Sequence, residues 1–352
     1  MIIKKEDLFN FFATLTETHA NPPQEIIIPA HSQWRTDDQR NFKIFKPTGA
    51  DDNFTLDGYR PIFPLKNLFY ITREALSTKT YEGPERIIAG VKACDLKALQ
   101  LLDKALINED FVDPSYKFWR QKTILIASDC TEVGNTCHCI LVDGKPYAEQ
   151  GYDINLSPLQ DDTYLVHIGS DKGQALVDHF RKSYEVRDNS DETQNQVDQN
   201  RQQIIEQLQE QNRQYDRTKT YDTLKAARMD VWKQSSAECI GCGACTNICP
   251  TCYCLILNDE STDAAMFKKV RSLDSCQLHG YARVAGGASP RPKMEDRFRH
   301  RYLCKFLYMQ SNFDMLGCTG CGRCSDACAA EIEFREATQK ALFNENKPIE
   351  SN

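Results

Sequence analysis

Cys239-Ile-Gly-Cys242-Gly-Ala-Cys245-Thr-Asn-Ile-Cys249-Pro250 is followed, sixty-eight residues beyond Cys249, by Cys318-Thr-Gly-Cys321-Gly-Arg-Cys324-Ser-Asp-Ala-Cys328. Both runs read C-x2-C-x2-C-x3-C. A loop wrapped around a [4Fe–4S] cubane must present three thiolates to three corners of the cube. The residues between them must be small, so that backbone N–H groups can approach sulfur. Gly241, Gly243, Gly320 and Gly322 meet that need. In this spacing three close cysteines hold one cube and the fourth crosses to the other. The expected ligands of one cluster are therefore Cys239, Cys242, Cys245 and Cys328, and those of a second are Cys318, Cys321, Cys324 and Cys249. Crossed ligation would also pin two distant segments together. Paired C-x2-C units build tetrahedral zinc sites too, but two complete four-cysteine runs favour iron–sulfur chemistry. The spacing Cys245-x3-Cys249-x2-Cys252 imitates the radical-SAM run, yet it reuses ligands already committed.

The spacing is that of bacterial two-cluster ferredoxins. Sixty-eight intervening residues are too many for the compact ferredoxin hairpin repeat, and Met294–Leu307 within them has a helical pattern, with Phe298, Tyr302 and Phe306 at i, i+4 and i+8. A helical ferredoxin scaffold is expected, of the kind found in fumarate and heterodisulfide reductase subunits. Ala329 stands where the second run would carry its proline.

Sixteen cysteines in 352 residues is unusual, and twelve of them fall between Cys239 and Cys328. Disulfide staples suit short exported chains. The N-terminus MIIKKEDLFNFF has no signal-peptide core, and no apolar run approaches the roughly 20 residues of a membrane span. A cytoplasmic location without a membrane span is the expectation. The net charge of −7 does not suggest a nucleic-acid partner.

Upstream, residues 5–18 read as a short helix. Arg86–Ala93 is a buried-strand candidate, Asp95–Ile107 has apolar residues at helical spacing, and Thr123–Ser128 is a second strand. That strand–helix–strand run favours a right-handed crossover and parallel pairing. Further β-like segments lie at Ile140–Val142 and Thr163–Ile168, with VDGKP as a turn. Residues 186–222 are Gln-rich and polar, with a narrow stripe of Val197, Ile204, Ile205 and Leu208, and predict a surface helix. The fold class is α+β overall. An α/β domain with a partly parallel sheet is expected over 1–185, a polar helical linker over 186–222, and a mainly α-helical, ferredoxin-like dicluster domain over 223–352.

Eight cysteines remain. Cys94 and Cys130 follow the two strand candidates, and Cys137 and Cys139 close the segment CTEVGNTCHC. If the strands are parallel neighbours, these thiols meet at their carboxyl ends, where open α/β sheets place ligands. They are candidates for a third [4Fe–4S] cluster. His138 is read as a hydrogen-bonding residue there rather than a ligand. Cys252, Cys254, Cys276 and Cys304 either pack as plain thiols or hold a fourth cluster. The basic stretch Arg291, Lys293, Arg297, Arg299, Arg301 and Lys305 reads as a solvated helix face that could also moderate cluster charge or dock an acidic partner.

GVKACDLKALQLLD, the SDC and TCHC segments, CPTCYC, and DSCQLHGYARVAGGASPRPKMEDRFRHRYLCKF leading into CTGCGRC together give the chain a resemblance over nearly its whole length. It resembles the beta, iron–sulfur subunit of cytoplasmic NiFe sulfhydrogenases. At slightly greater distance it resembles the electron-transfer component of anaerobic sulfite reductase. The resemblance implies a multi-subunit oxidoreductase in which a partner binds FAD and a nicotinamide nucleotide. Electrons would pass through this chain's clusters toward a hydrogenase small subunit or a sulfur- or sulfite-reducing subunit. No dinucleotide fingerprint, P-loop or His/Asp/Ser constellation occurs, so a non-catalytic relay subunit is expected. The alternative is a polysulfide reductase built on the N-terminal cysteine set.

Overall fold

In the computed structural model the described residues are 1–16, 25–31, 43–47, 54–76, 81–108, 110–216, 220–263 and 265–343. The strands are β1 (Ile2–Lys4), β2 (Glu25–His31), β3 (Lys43–Pro47), β4 (Arg73–Leu76), β5 (Arg86–Val91), β6 (Thr123–Ser128), β7 (Ile154–Pro158), β8 (Thr163–Ile168), β9 (Leu255–Ser261) and β10 (Phe267–Leu273). The helices are α1 (Lys5–Thr16), α2 (Ala93–Leu106), α3 (Pro114–Lys122), α4 (Asp171–Phe180), α5 (Asp191–Asn212), α6 (Met229–Ser235), α7 (Ala244–Asn247), α8 (Met294–Leu303), α9 (Met309–Phe313), α10 (Arg323–Asp326) and α11 (Phe334–Phe343). A π-helical turn over Cys304–Tyr308 joins α8 to α9.

Seven strands form one sheet in the order β1-β8-β7-β6-β5-β2-β3. The centre, β2-β5-β6-β7, is parallel, with Ile26 against Ile87, Ile88 against Leu125 and Ile126 against Ile154; the outer strands add antiparallel. Near-continuous apolar runs suit parallel strands covered on both faces. Ile26, Ile28, Ile87 and Ile126 pack on one face with Phe11 and Phe12 of α1 and Phe180 of α4. Ile27, Ile88 and Leu125 pack on the other with Leu99 and Leu102 of α2.

One break in this alternation matters for the site. Ala89 faces the first core and Val91 the second, although residues two apart should share a face. The register slips between them at Gly90, whose φ of +73° is a left-handed conformation and whose missing Cβ leaves room for Pro29. This bulge re-aims the end of β5 just ahead of Cys94.

The second part of the chain is mainly helical. Trp232, Phe298, Tyr302, Phe306, Phe334 and Leu342 form its core, with Cys239, Cys318 and Cys324 packed against it. Tyr302 stacks on Phe334 at 4.6 Å. The intervening segment also holds the antiparallel pair β9–β10, which joins β4 in a three-stranded sheet of order β4-β10-β9. A strand from the first part of the chain is thus paired with one from the second. Ile140–Val142, read as β-like, instead lies in a 3-10 turn over Cys139–Val142, closed by Asp143 at φ +55°. No helix among the described residues is long and apolar enough to cross a membrane.

Candidate metal centres

The two signature loops fold alike. In each, two glycines take left-handed φ, Gly241 (+69°) with Gly243 (+75°) and Gly320 (+67°) with Gly322 (+73°). Each loop then enters a one-turn helix that carries the third cysteine, Cys245 in α7 and Cys324 in α10, and these two helices pack together. Cys245 lies within electrostatic range of Cys239, Cys328 and Cys249. Cys324 and Cys318 lie within range of Cys321 and Cys249. Cys328 thus lies near the first signature, and Cys249 lies near both. Cys242 is exposed beside Ile240, which is 70% exposed.

The donor set and its loop chemistry suit a cubane. Gly320 N–H donates to Cys318 Sγ at 3.4 Å, the amide-to-sulfur contact that small intervening residues permit. Burial pushes Cys318 up to about 12 and raises Cys245, Cys139 and Cys324. As isolated groups they are thiols, and iron binding would release their protons. Among the described residues no three His, Cys, Asp or Glu side chains close on one ion. Thiolates around a cubane sit on separate irons and do not converge on a point.

Cys94, Cys130, Cys137 and Cys139 line a single pocket together with Cys321 of the second signature. Parallel pairing of β5 and β6 puts Cys94 and Cys130 at neighbouring carboxyl ends. The other two thiols are held by contacts with the signature loop. His138 N–H donates to Gly320 O at 2.8 Å, and a Cβ on Gly320 would come within 2.4 Å of Cys139 N. His138 is 3% exposed, with Nδ1 at 2.9 Å from Thr136 O and Nε2 at 3.7 Å from Cys318 Sγ. Burial lowers its pKa to about 4, leaving it neutral. It serves as a hydrogen-bonding residue between the two centres.

Helix α5 roofs this cavity. Ile204 and Leu208 line it, and Gln211 and Asn212 donate to the Cys137 carbonyl at 2.9 and 3.0 Å. The sequence showed a polar surface helix; its role over the cysteines depends on long-range contacts, and only the stripe of Val197, Ile204 and Leu208 hinted at them.

Buried cations surround the thiols. Arg323, fully buried, makes a bidentate pair with Asp95 at 2.9 and 2.6 Å, tying the start of α2 to the second signature. Arg60, also buried, donates to Cys321 O at 2.6 Å and pairs with Asp326. The basic stretch is only partly a solvated face: Lys293 is exposed and Arg291 and Arg299 are part-buried, whereas Arg297, Arg301 and Lys305 are buried. Arg301 lies 4.8 Å over the Phe334 ring and within range of Cys245 and Cys324. Cations at these places offset the negative charge of thiolate-bound clusters in a medium that solvates it poorly. Of the last four cysteines, Cys254, Cys276 and Cys304 gather near Tyr281, and the Cys252 thiol bonds to Cys249.

Residues 238–332 match the 4Fe-4S dicluster domain family. The chain is similar to sulfhydrogenase 2 subunit beta of Pyrococcus furiosus, at 32% identity over 299 residues, covering 82% of this chain and 86% of that protein.

Proposed function

The chain belongs to the family of sulfhydrogenase beta subunits, and we propose that it relays electrons between a flavin- and NAD(P)-binding partner and a hydrogenase or a sulfur- or sulfite-reducing subunit. When bound, a [4Fe–4S] cluster with four thiolate ligands has no open coordination position and supplies one-electron transfer. The observation that carries the reading is adjacency. Cys321 of the second signature borders the pocket of Cys94, Cys130, Cys137 and Cys139, Cys328 lies within electrostatic range of Cys245, and Cys249 lies within range of both Cys245 and Cys324. Cys242 reaches the surface at the far end of this series.

The protein's own groups keep this path fixed and dry. Arg60, Arg301 and Arg323 are buried cations that balance charge, while α5 and the aromatic core exclude water. Positions locked by packing change little on reduction, which keeps reorganisation small. The alternative, an N-terminal centre that itself reduces polysulfide, needs an open position. Four thiols beneath a roofing helix favour the relay.

The test uses the full chain purified without oxygen. Dithionite should bleach its broad visible absorption and give spin-coupled EPR signals. NADH or NADPH should have no effect until a flavin-bearing partner is added. Polysulfide or sulfite turnover by the chain alone, free of flavin and partner, would overturn the relay.

A further inference from the structure

We propose that Cys252, Cys254, Cys276 and Cys304 hold a fourth [4Fe–4S] cluster beside the two signatures. The inference rests on the relay reading and extends it by one centre.

The pattern repeats that of the N-terminal set. There a C-x-C pair, Cys137 and Cys139, joins two single cysteines from other elements; here Cys252 and Cys254 form the pair, and Cys276 and Cys304 are the singles. Folding brings the singles to the pair. Leu255 is opposite Leu273 in the β9–β10 ladder, so Cys254 and Asp274 meet at its open end, where Asp274 N–H donates to Cys254 O at 2.9 Å. Cys276 follows two residues later. Cys304 arrives from the end of α8, where the chain leaves α-helical geometry for a π turn. Such turns are rare, and they occur frequently at functional sites. The Tyr281 side chain bonds to Cys254 and lies within electrostatic range of Cys276 and Cys304.

The charge around the set is compatible with this. Lys66 and Lys305 are 1% and 3% exposed. Lys66 Nζ donates to Cys252 O at 2.8 Å; Lys305 Nζ donates to Thr251 Oγ1 at 2.6 Å and reaches Met309 Sδ at 4.0 Å. The Lys305 ammonium also bonds to the Cys252 thiol, so two buried cations lie directly beside this cysteine set. The sulfurs within electrostatic range of these cations are those of Cys249, Cys252, Cys254 and Cys304. Cys249 is assigned to the second signature. As a cluster ligand it would offset part of this charge, and iron-bound Cys252, Cys254 and Cys304 would add to that offset.

The experiment is iron and acid-labile sulfide analysis of the anaerobically reconstituted full chain, read beside Cys276→Ser/Cys304→Ser and Cys137→Ser/Cys139→Ser. The unmodified chain should hold about sixteen irons, four per cubane. Each double variant should lose about four, with different EPR components disappearing. If the Cys276/Cys304 variant does not fold, the unmodified chain and the Cys137/Cys139 variant decide: about sixteen irons in the former supports the fourth cluster, as does about twelve with no loss in the latter, and about twelve falling to about eight overturns it. A folded Cys276/Cys304 variant with an undiminished count would also overturn it. Loss confined to the Cys137/Cys139 variant would sink the fourth cluster and leave the relay standing, since the relay is judged by its dependence on a flavin-bearing partner.

Discussion

Asp95→Asn tests the joint on which the relay depends. The Asp95 and Arg323 side chains are both fully buried, and their two hydrogen bonds of 2.9 and 2.6 Å connect α2 to the second signature. Removing the carboxylate charge leaves a guanidinium with no route to water. Breaking a buried pair in this way costs about 3–5 kcal/mol, because the surviving charge remains desolvated. Replacing both partners, Asp95→Leu with Arg323→Met, should recover most of that loss, since apolar groups of similar volume need no counter-charge. Arg323 also lies within electrostatic range of Cys94 and Cys321, so Asp95→Asn makes the surroundings of both centres more positive. Their reduction potentials should rise. The assay is anaerobic urea unfolding of the three loaded proteins, followed by visible absorption and fluorescence, with potentiometric EPR on each. The reasoning fails if Asp95→Asn is as stable as the parent, or if the double variant is no better than the single one.

Gly320→Ala should release the N-terminal cysteines. It places a side chain at φ +67° and a Cβ 2.4 Å from Cys139 backbone, so the left-handed conformation alone costs about 1–2 kcal/mol and the clash adds to it; iron analysis should show loss at the N-terminal set before the signatures are affected. Leu208→Ala truncates a 2%-exposed side chain in the roof of the N-terminal cavity, and should cost about 2–5 kcal/mol; faster iron loss to a chelator, with the Leu208→Met chain close to the parent, is the readout. His300 is held neutral by burial and then by Arg291, which lower its pKa to about 4 from 6.5. Its contribution to stability is complete above pH 6.5 and is lost as pH falls toward 4, because the unfolded chain takes up the proton first. Urea titrations across that window should show a shallower pH slope for His300→Gln, and an identical slope would refute the assignment.

The dicluster signatures were legible in the sequence because cluster-binding loops impose local constraints: cysteine spacing, small residues between ligands, left-handed glycines. The same holds for the parallel strands at Arg86 and Thr123, whose continuous apolar runs suit burial on both faces, and for the helix of residues 191–212, visible through its narrow stripe. What lay beyond sequence was most of the relations set by distant contacts. The β9–β10 hairpin was hidden within a polar segment, since its strands are largely exposed and carry little periodic signal. Arg297, Arg301 and Lys305 looked solvated because basic side chains usually are, and only the surrounding thiols and aromatic rings make burial tolerable. Spacing within one segment could not show that Cys321 borders the N-terminal cysteines, or that α5 covers them. The sequence by itself determined which cysteines are candidates to bind iron, because ligand loops are local; the tertiary structure alone decided which of them adjoin and which charges lie beside them, because adjacency and desolvation belong to the packed chain.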